Sequence, residues 1–140
     1  LGYLKRRKVT GKPVRMKLKP YEYTTSDGFR ISAGHNNKEN DYLTFKLADK
    51  KDIWFHTKDI PGSHVILYTD GREVTETALF EAAAIAAYHS KGQSSENVPV
   101  DYVPVRHVKK PNGAKPGMVI FTNNRTLYVN PALPKGTADK

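Results

Sequence analysis

Cysteine is absent from the 140 residues, which excludes a disulfide framework, a thiol nucleophile and a thiolate metal centre, and suits a cytosolic origin. Long hydrophobic stretches are absent too: no apolar run approaches the roughly 20 residues needed to cross a bilayer, so membrane insertion is not expected. No charged-then-apolar leader opens the chain. It starts at Leu1 rather than at a Met, and reads as a piece of a longer protein. Acidic side chains are missing from residues 1–19, where Lys5, Arg6, Arg7, Lys8, Lys12, Arg15, Lys17 and Lys19 supply 8 of the 23 basic residues. The other 15 face 14 acids, so the formal charge of +9 divides into +8 on this arm and +1 on the body. Such an arm is either a solvated linker or a phosphate-contacting segment.

What remains is ordinary for one compact domain, with 38% apolar residues and enough aromatic content to exclude wholesale disorder. The expected organisation is a basic linker arm over 1–20, a folded domain over 21–131 and a flexible tail over 132–140. Val14, Met16 and Leu18 alternate with basic residues, which allows a short edge strand. Thr24 to Gly28 is a turn signal, followed by a strand from Phe29 to Ala33. Asn40 to Ala48, with Asn40 as N-cap, predicts a short helix. Glu76 to Lys91 predicts a long one, capped by Thr75 and ended by a left-handed Gly92, with Ala78, Ala82 and Ala86 forming a surface that can lie close against a sheet. A strand from Val98 to Val108, a Lys/Pro/Gly loop from Lys109 to Pro116, and a hairpin of Met118–Thr122 with Thr126–Val129 complete the chain. The fold class is α+β: a largely antiparallel sheet of five or six strands with one long and one short helix.

The chemistry-bearing residues concentrate between Asp52 and Ile66, which hold the only Trp and two of the five His. Period-two alternation puts Ile53, Phe55 and Thr57 on one face and Asp52, Trp54, His56 and Lys58 on the other. Pro61-Gly62 then turns the chain back, so that Trp54, His56 and His64 come near one another. No catalytic residue is expected, because Ser63 and His64 point to opposite faces of a strand and no carboxylate pair converges. No metal or cofactor is expected either, since His56, His64, Asp52 and Asp59 match no ligand spacing. An RNA reading rests on a combination: Trp54 and Tyr42 as flat faces, His56 and His64 as donors, and Arg30, Lys58, Lys109, Lys110 and Lys115 as charge for a backbone. Trp54 by itself is more often a core residue, and the glycines of the 109–117 loop equally just shape a turn.

Asp52 to His64 also carries a resemblance, together with Ser26–Ile31, Gly34–Asn37, Asn40–Lys46, Val98–Tyr102 and Lys109–Gly117. In this order the blocks resemble the NFACT-R domain, the C-terminal domain of proteins that include bacterial ribosome quality-control factors and streptococcal proteins named for fibronectin binding. The resemblance implies a non-enzymatic RNA-contacting domain whose partners are tRNA and the large ribosomal subunit during C-terminal tailing of stalled chains, in the cytoplasm. By position it points to Asp52, Trp54, His56, Lys58, Pro61, Gly62, Ser63 and His64 as the signature surface and to Lys109, Lys110 and Lys115 as a basic loop; with Arg30 from the charge reading, the expected RNA-binding set is Arg30, Asp52, Trp54, His56, Lys58, His64, Lys109, Lys110 and Lys115. The alternative is a fibronectin-binding adhesin domain at the cell surface. A third, blander reading is an inter-domain packing module whose signature hairpin meets the N-terminal domains of the parent protein. The site expectation is that the Trp54/His56/His64 hairpin and the Lys109–Lys115 loop share one surface.

Overall fold

In the computed structural model, which describes residues 18–134, the chain runs β1 (Tyr21–Thr24), β2 (Arg30–Ala33), α1 (Asn37–Tyr42), β3 (Ile53–Thr57), β4 (Val65–Leu67), α2 (Glu76–Tyr88), β5 (Val98–Pro104), β6 (Val108–Lys109), β7 (Ile120–Phe121) and β8 (Arg125–Val129). Six strands form one antiparallel sheet in the order β1-β2-β4-β3-β5-β8, and β6 and β7 form a separate ribbon. The expected α+β class holds. The basic arm to Lys17, including Val14 and Met16 of the suggested edge strand, and the tail beyond Pro134 lie outside the described residues.

The sheet is covered on both faces, and the period-two pattern of β3 sorts its residues between them. Ile53 and Phe55 join Phe29, Ile31, Val65, Leu67, Val98 and Val100 beneath α2. That helix starts where Thr75 accepts a hydrogen bond from the Ala78 amide, as expected. Ala78, Ala82, Ala83, Ala86 and Ala87 are fully enclosed, and such small side chains let the helix axis approach the sheet closely. It ends at Tyr88 and not Lys91, with His89 as C-cap. Gly92 is not among the residues with positive φ, so the helix stops without the expected left-handed glycine. Ala132 donates its amide to the Ala84 carbonyl and Leu133 packs on the core, so the first residues of the expected tail are fixed to α2.

On the opposite face, Trp54, Ile66, Tyr68 and Val103 are covered by Leu43, Val105 and Val108, with Phe45 and Phe121 at the margin. This cover departs from the sequence expectation in three ways. The short helix begins earlier, capped by Asn36, whose side chain accepts from the Glu39 amide. It then widens over Leu43–Leu47 into a π turn closed by Ala48 N–H donating to Leu43 O. The strand after Val98 stops at Pro104, where a 3-10 turn over Val105–His107 redirects it into the ribbon. The last two strands are also not a hairpin with one another: β7 pairs with β6, and β8 with β5. Asn123, at φ 62°, makes the reversal between them.

Buried polar groups lock these layers. Asp52 accepts from the amides of Asp49 at 2.8 Å and Thr69 at 2.9 Å, tying the start of β3 to the end of β4. Asn40, expected as a helix cap, instead faces inward and accepts from the His64 amide at 3.0 Å. Gly34 donates its own amide to the His64 carbonyl and sits so close to Asn40 that a β-carbon would overlap the Asn40 amide group. Gly34→Ala is therefore expected to lower unfolding free energy by about 2–4 kcal/mol, combining overpacking with a disturbed buried hydrogen bond. Urea denaturation checks this; a change below about 0.5 kcal/mol, the range of neutral surface substitutions, would show that the contact relaxes freely.

Candidate functional site

His64 enters β4 from the Pro61-Gly62 turn and is 2% exposed. Its Nε2 lies 3.1 Å from the Gly117 carbonyl and its Nδ1 2.9 Å from the Thr44 hydroxyl. A carbonyl only accepts, so Nε2 carries the proton and Nδ1 accepts from Thr44. Both nitrogens of a neutral imidazole are then satisfied. Burial and the neighbouring His56 hold its pKa down at about 4. Trp54 and His56 stack with centroids 5.8 Å apart, and His64 meets them edge-on at 5.3 and 5.7 Å. The expected convergence of the three rings is met, but as part of the core. Trp54 is 1% exposed and offers no face to a base, because Val105, Val108 and Phe121, distant in sequence, close over it. Its indole Nε1 has no hydrogen-bond partner among the described residues. His56 is half-buried, and burial also pushes its pKa down.

The Lys109–Gly117 loop does lie on this side of the sheet, held by Gly117. That residue takes the His64 hydrogen bond at its carbonyl and donates its amide to Asp41 at 3.0 Å. Gly113 and Gly117 have φ of 78° and 85°, a conformation that favours glycine. Lys110 does not point outward as free charge: its ammonium donates to the Lys115 carbonyl at 2.7 Å and pairs with Asp41 at 3.3 Å. It braces the loop from within. Lys109 and Lys115 are exposed and form no ion pair among the described residues. Lys58 is half-exposed and 3.9 Å from Asp101, whose buried carboxylate accepts from Thr126 and Asn124.

Arg30 and Asp52 are not brought to that surface. They line a separate hollow of about 560 Å³ with Tyr68, Asp70 and Glu22. Arg30 forms a two-point pair with Asp70, and Asp52 is consumed by its backbone bonds. The expected set thus divides: Lys109, Lys115, Lys58 and His56 reach solvent, Lys110 is engaged within its loop, Trp54 and His64 are interior, and Arg30 and Asp52 line the separate hollow.

A second polar surface was not visible in the sequence. A groove of about 460 Å³ runs between Gly34–Asn37 on one bank and Pro61–Ser63 with His89–Lys91 on the other. The latter two segments are joined by Ser63 N–H to His89 O at 3.0 Å and Lys91 N–H to Pro61 O at 2.9 Å. Tyr21 lies against His35, at 3.8 Å between centroids, and His89, at 4.2 Å. Burial, with Tyr21 and Tyr88 nearby, raises the Tyr23 hydroxyl to about 12, while burial and His35 lower His89 to about 4. At neutral pH Tyr23 therefore donates to His89 Nε2, 2.6 Å away. Burial opposes ionisation of Glu39, but bonds from His35 N–H, His35 Nδ1 and Lys19 N–H outweigh it and keep its pKa below the usual range. The signal for this cluster was the Tyr21/Tyr23 spacing of two, which places both on one face of a strand. Among the described residues, no group of three His, Asp or Glu converges as a metal site.

His64 and His89 both bind protons more weakly folded than unfolded. Their contribution is fully present above the unfolded histidine pKa and is lost as pH falls from about 6.5 to about 4. For His64 the loss amounts to about 3 kcal/mol. Urea unfolding from pH 8 to pH 4 should show stability falling across that window, with a shallower fall in His64→Gln; a flat profile would mean that the imidazoles are readily hydrated.

The family model described as NFACT protein RNA binding domain matches residues 19–123. The Rqc2 homolog RqcH of Bacillus subtilis (strain 168) is 52% identical over 120 residues, covering 86% of this chain and 20% of the relative. The protein of the same name in Streptococcus suis (strain 05ZYH33) is 44% identical over 135 residues, covering 96% of this chain and 24% of the relative. The solved C-terminal part of the fibronectin/fibrinogen-binding protein from Streptococcus suis superposes with a TM-score of 0.80 at 43% identity, over 86% of this chain and 49% of that one. This chain thus spans about a quarter or less of these full-length relatives. No helix among the described residues is long and apolar enough to cross a membrane. With a family model matching most of the chain and a solved relative of the same fold at 43% identity, this chain belongs to the NFACT protein RNA binding domain family.

Proposed function

We propose that this domain contacts tRNA and the large ribosomal subunit as the RNA-binding part of a cytoplasmic ribosome quality-control factor, while a stalled nascent chain is extended. It does so without a catalytic centre of its own, and the N-terminal domains of the parent protein supply whatever chemistry the extension needs. The observation that carries the reading is the Lys109–Gly117 loop. Its backbone is fixed at Gly117 from both sides and braced by Lys110, so Lys109 and Lys115 stand on a preset frame. Less freedom is lost when such ammonium groups meet phosphates than when a loop must first order. The basic residues 1–19 add longer-range attraction.

A second reading, fibronectin or fibrinogen binding, is favoured by the likeness to the fibronectin/fibrinogen-binding protein of Streptococcus suis. Binding to immobilised fibronectin that persists at physiological salt, in the absence of any tRNA binding, would favour it.

The RNA reading is tested by fluorescence anisotropy of labelled tRNA with the 140-residue chain across a salt series. The double change Lys109→Ala/Lys115→Ala should reduce the slope of log K against log salt by about 1.4–1.8, roughly 0.7–0.9 for each lost phosphate contact. Lys110→Ala should act differently, costing about 1 kcal/mol of stability through the lost loop brace. If the double change leaves the slope intact and only neutralising Lys5, Arg6, Arg7 and Lys8 alters it, the contact belongs to the arm.

A further inference from the structure

We propose that the groove beside His35 receives one unpaired nucleotide of an RNA strand, its base stacking on the His35 ring and its phosphate meeting Lys91. This deepens the RNA reading above and rests on it. The rings of His89, Tyr21 and His35 form a column with centroid spacings of 4.2 and 3.8 Å. His89 is inclined to Tyr21 by 21° and His35 by 34°, and two rings so near a third have room only on its opposite faces. The column therefore has an end at His35, whose side chain is 40% exposed on the groove. A flat partner added there continues the stack.

Unpaired bases have free π faces, whereas paired ones are already stacked within a helix. The remaining chemistry of the groove fits a nucleotide. None of its lining residues is acidic, and Lys91 supplies a cation on the far bank. The Glu39 carboxylate beneath His35 is occupied by the His35 backbone and ring N–H groups. Asn36, whose Oδ1 is committed to the Glu39 amide, and Asn37 are exposed and line the groove, and Gln93, held through its Nε2 to the Tyr88 carbonyl, keeps its amide oxygen open. These are donors and acceptors suited to a base edge. The groove is also preset: Glu39 fixes the imidazole, and the backbone bonds between Pro61–Ser63 and His89–Lys91 fix the opposite bank. Trp54, the only tryptophan, is enclosed in the core, and Tyr42, Phe80 and Tyr128 are exposed singly and without such a column.

The test uses the 140-residue chain with two probes, a single-stranded RNA carrying one 2-aminopurine and a fully paired RNA duplex with the same number of phosphates. Stacking in the groove should quench 2-aminopurine fluorescence. His35→Ala should abolish the quench and weaken single-strand binding about tenfold, in line with the loss of one stacked base, while duplex affinity stays unchanged. His35→Phe, which keeps a flat ring, should retain the quench. Lys91→Ala should weaken single-strand binding but leave the quench at saturation. If His35→Ala does not fold by circular dichroism, His35→Phe and Lys91→Ala decide the matter. Absence of a quench in the parent or in His35→Phe, or parent-like single-strand affinity in Lys91→Ala, would overturn the proposal. Lys109→Ala/Lys115→Ala lowers affinity for both probes alike if the loop contacts phosphates, so the groove can fail while the RNA reading stands. Absence of binding to either probe removes both.

Discussion

The neutral imidazole of His64 joins three parts of the chain that no local signal connects. Thr44 donates to one nitrogen, Gly117 accepts from the other, and the residue's own amide is held by Asn40. The Gly117 carbonyl fixes the proton on Nε2, and burial, by depressing the pKa, keeps Nδ1 bare to accept from Thr44. The α1 segment, the central β3–β4 pair and the glycine loop therefore stand in a fixed relation. Asp41 completes the arrangement by receiving the Gly117 amide and the Lys110 ammonium.

This explains why the residues between Asp52 and His64 serve the architecture more than a surface. Asp52 is spent on the amides of Asp49 and Thr69, Trp54 on the second core, and His64 on the loop. An exposed carboxylate or indole could be replaced at little cost, but losing Asp52 or His64 leaves polar partners unpaired and losing Trp54 leaves a cavity in the second core. Of the three, His64 holds the loop from which Lys109 and Lys115 reach solvent, through the Gly117 carbonyl.

The two polar surfaces differ in what they can recognise. The loop offers point charges on a fixed backbone, which suits a phosphate chain of any sequence. The groove offers a ring column, amides and one cation, which suits a splayed-out nucleotide. They share the α1 segment, since Asn36 and Asn37 border the groove and Asp41 anchors the loop.

The alternation of Ile53, Trp54, Phe55 and His56, the Thr75 cap and the alanine spacing of α2 were legible in the sequence because each depends on neighbours within a few residues. So were the antiparallel α+β class and the meeting of Trp54, His56 and His64 across a turn. Period-two alternation says that Trp54 and Phe55 face opposite ways, but not which face is covered. That was decided by Leu43, Val108 and Phe121, which arrive from both sides of the sequence. The π turn after Tyr42 and the pairing of β7 with β6 likewise answer to that cover and not to local propensity. The groove was illegible for the same reason: Tyr21, His35 and His89 become neighbours only when β1 pairs with β2 and the end of α2 reaches the Pro61-Gly62 turn. The sequence by itself determined which segments alternate, turn and cap; only the tertiary structure decided which polar groups are consumed in the interior and which are left for a partner, because burial is set by distant chain.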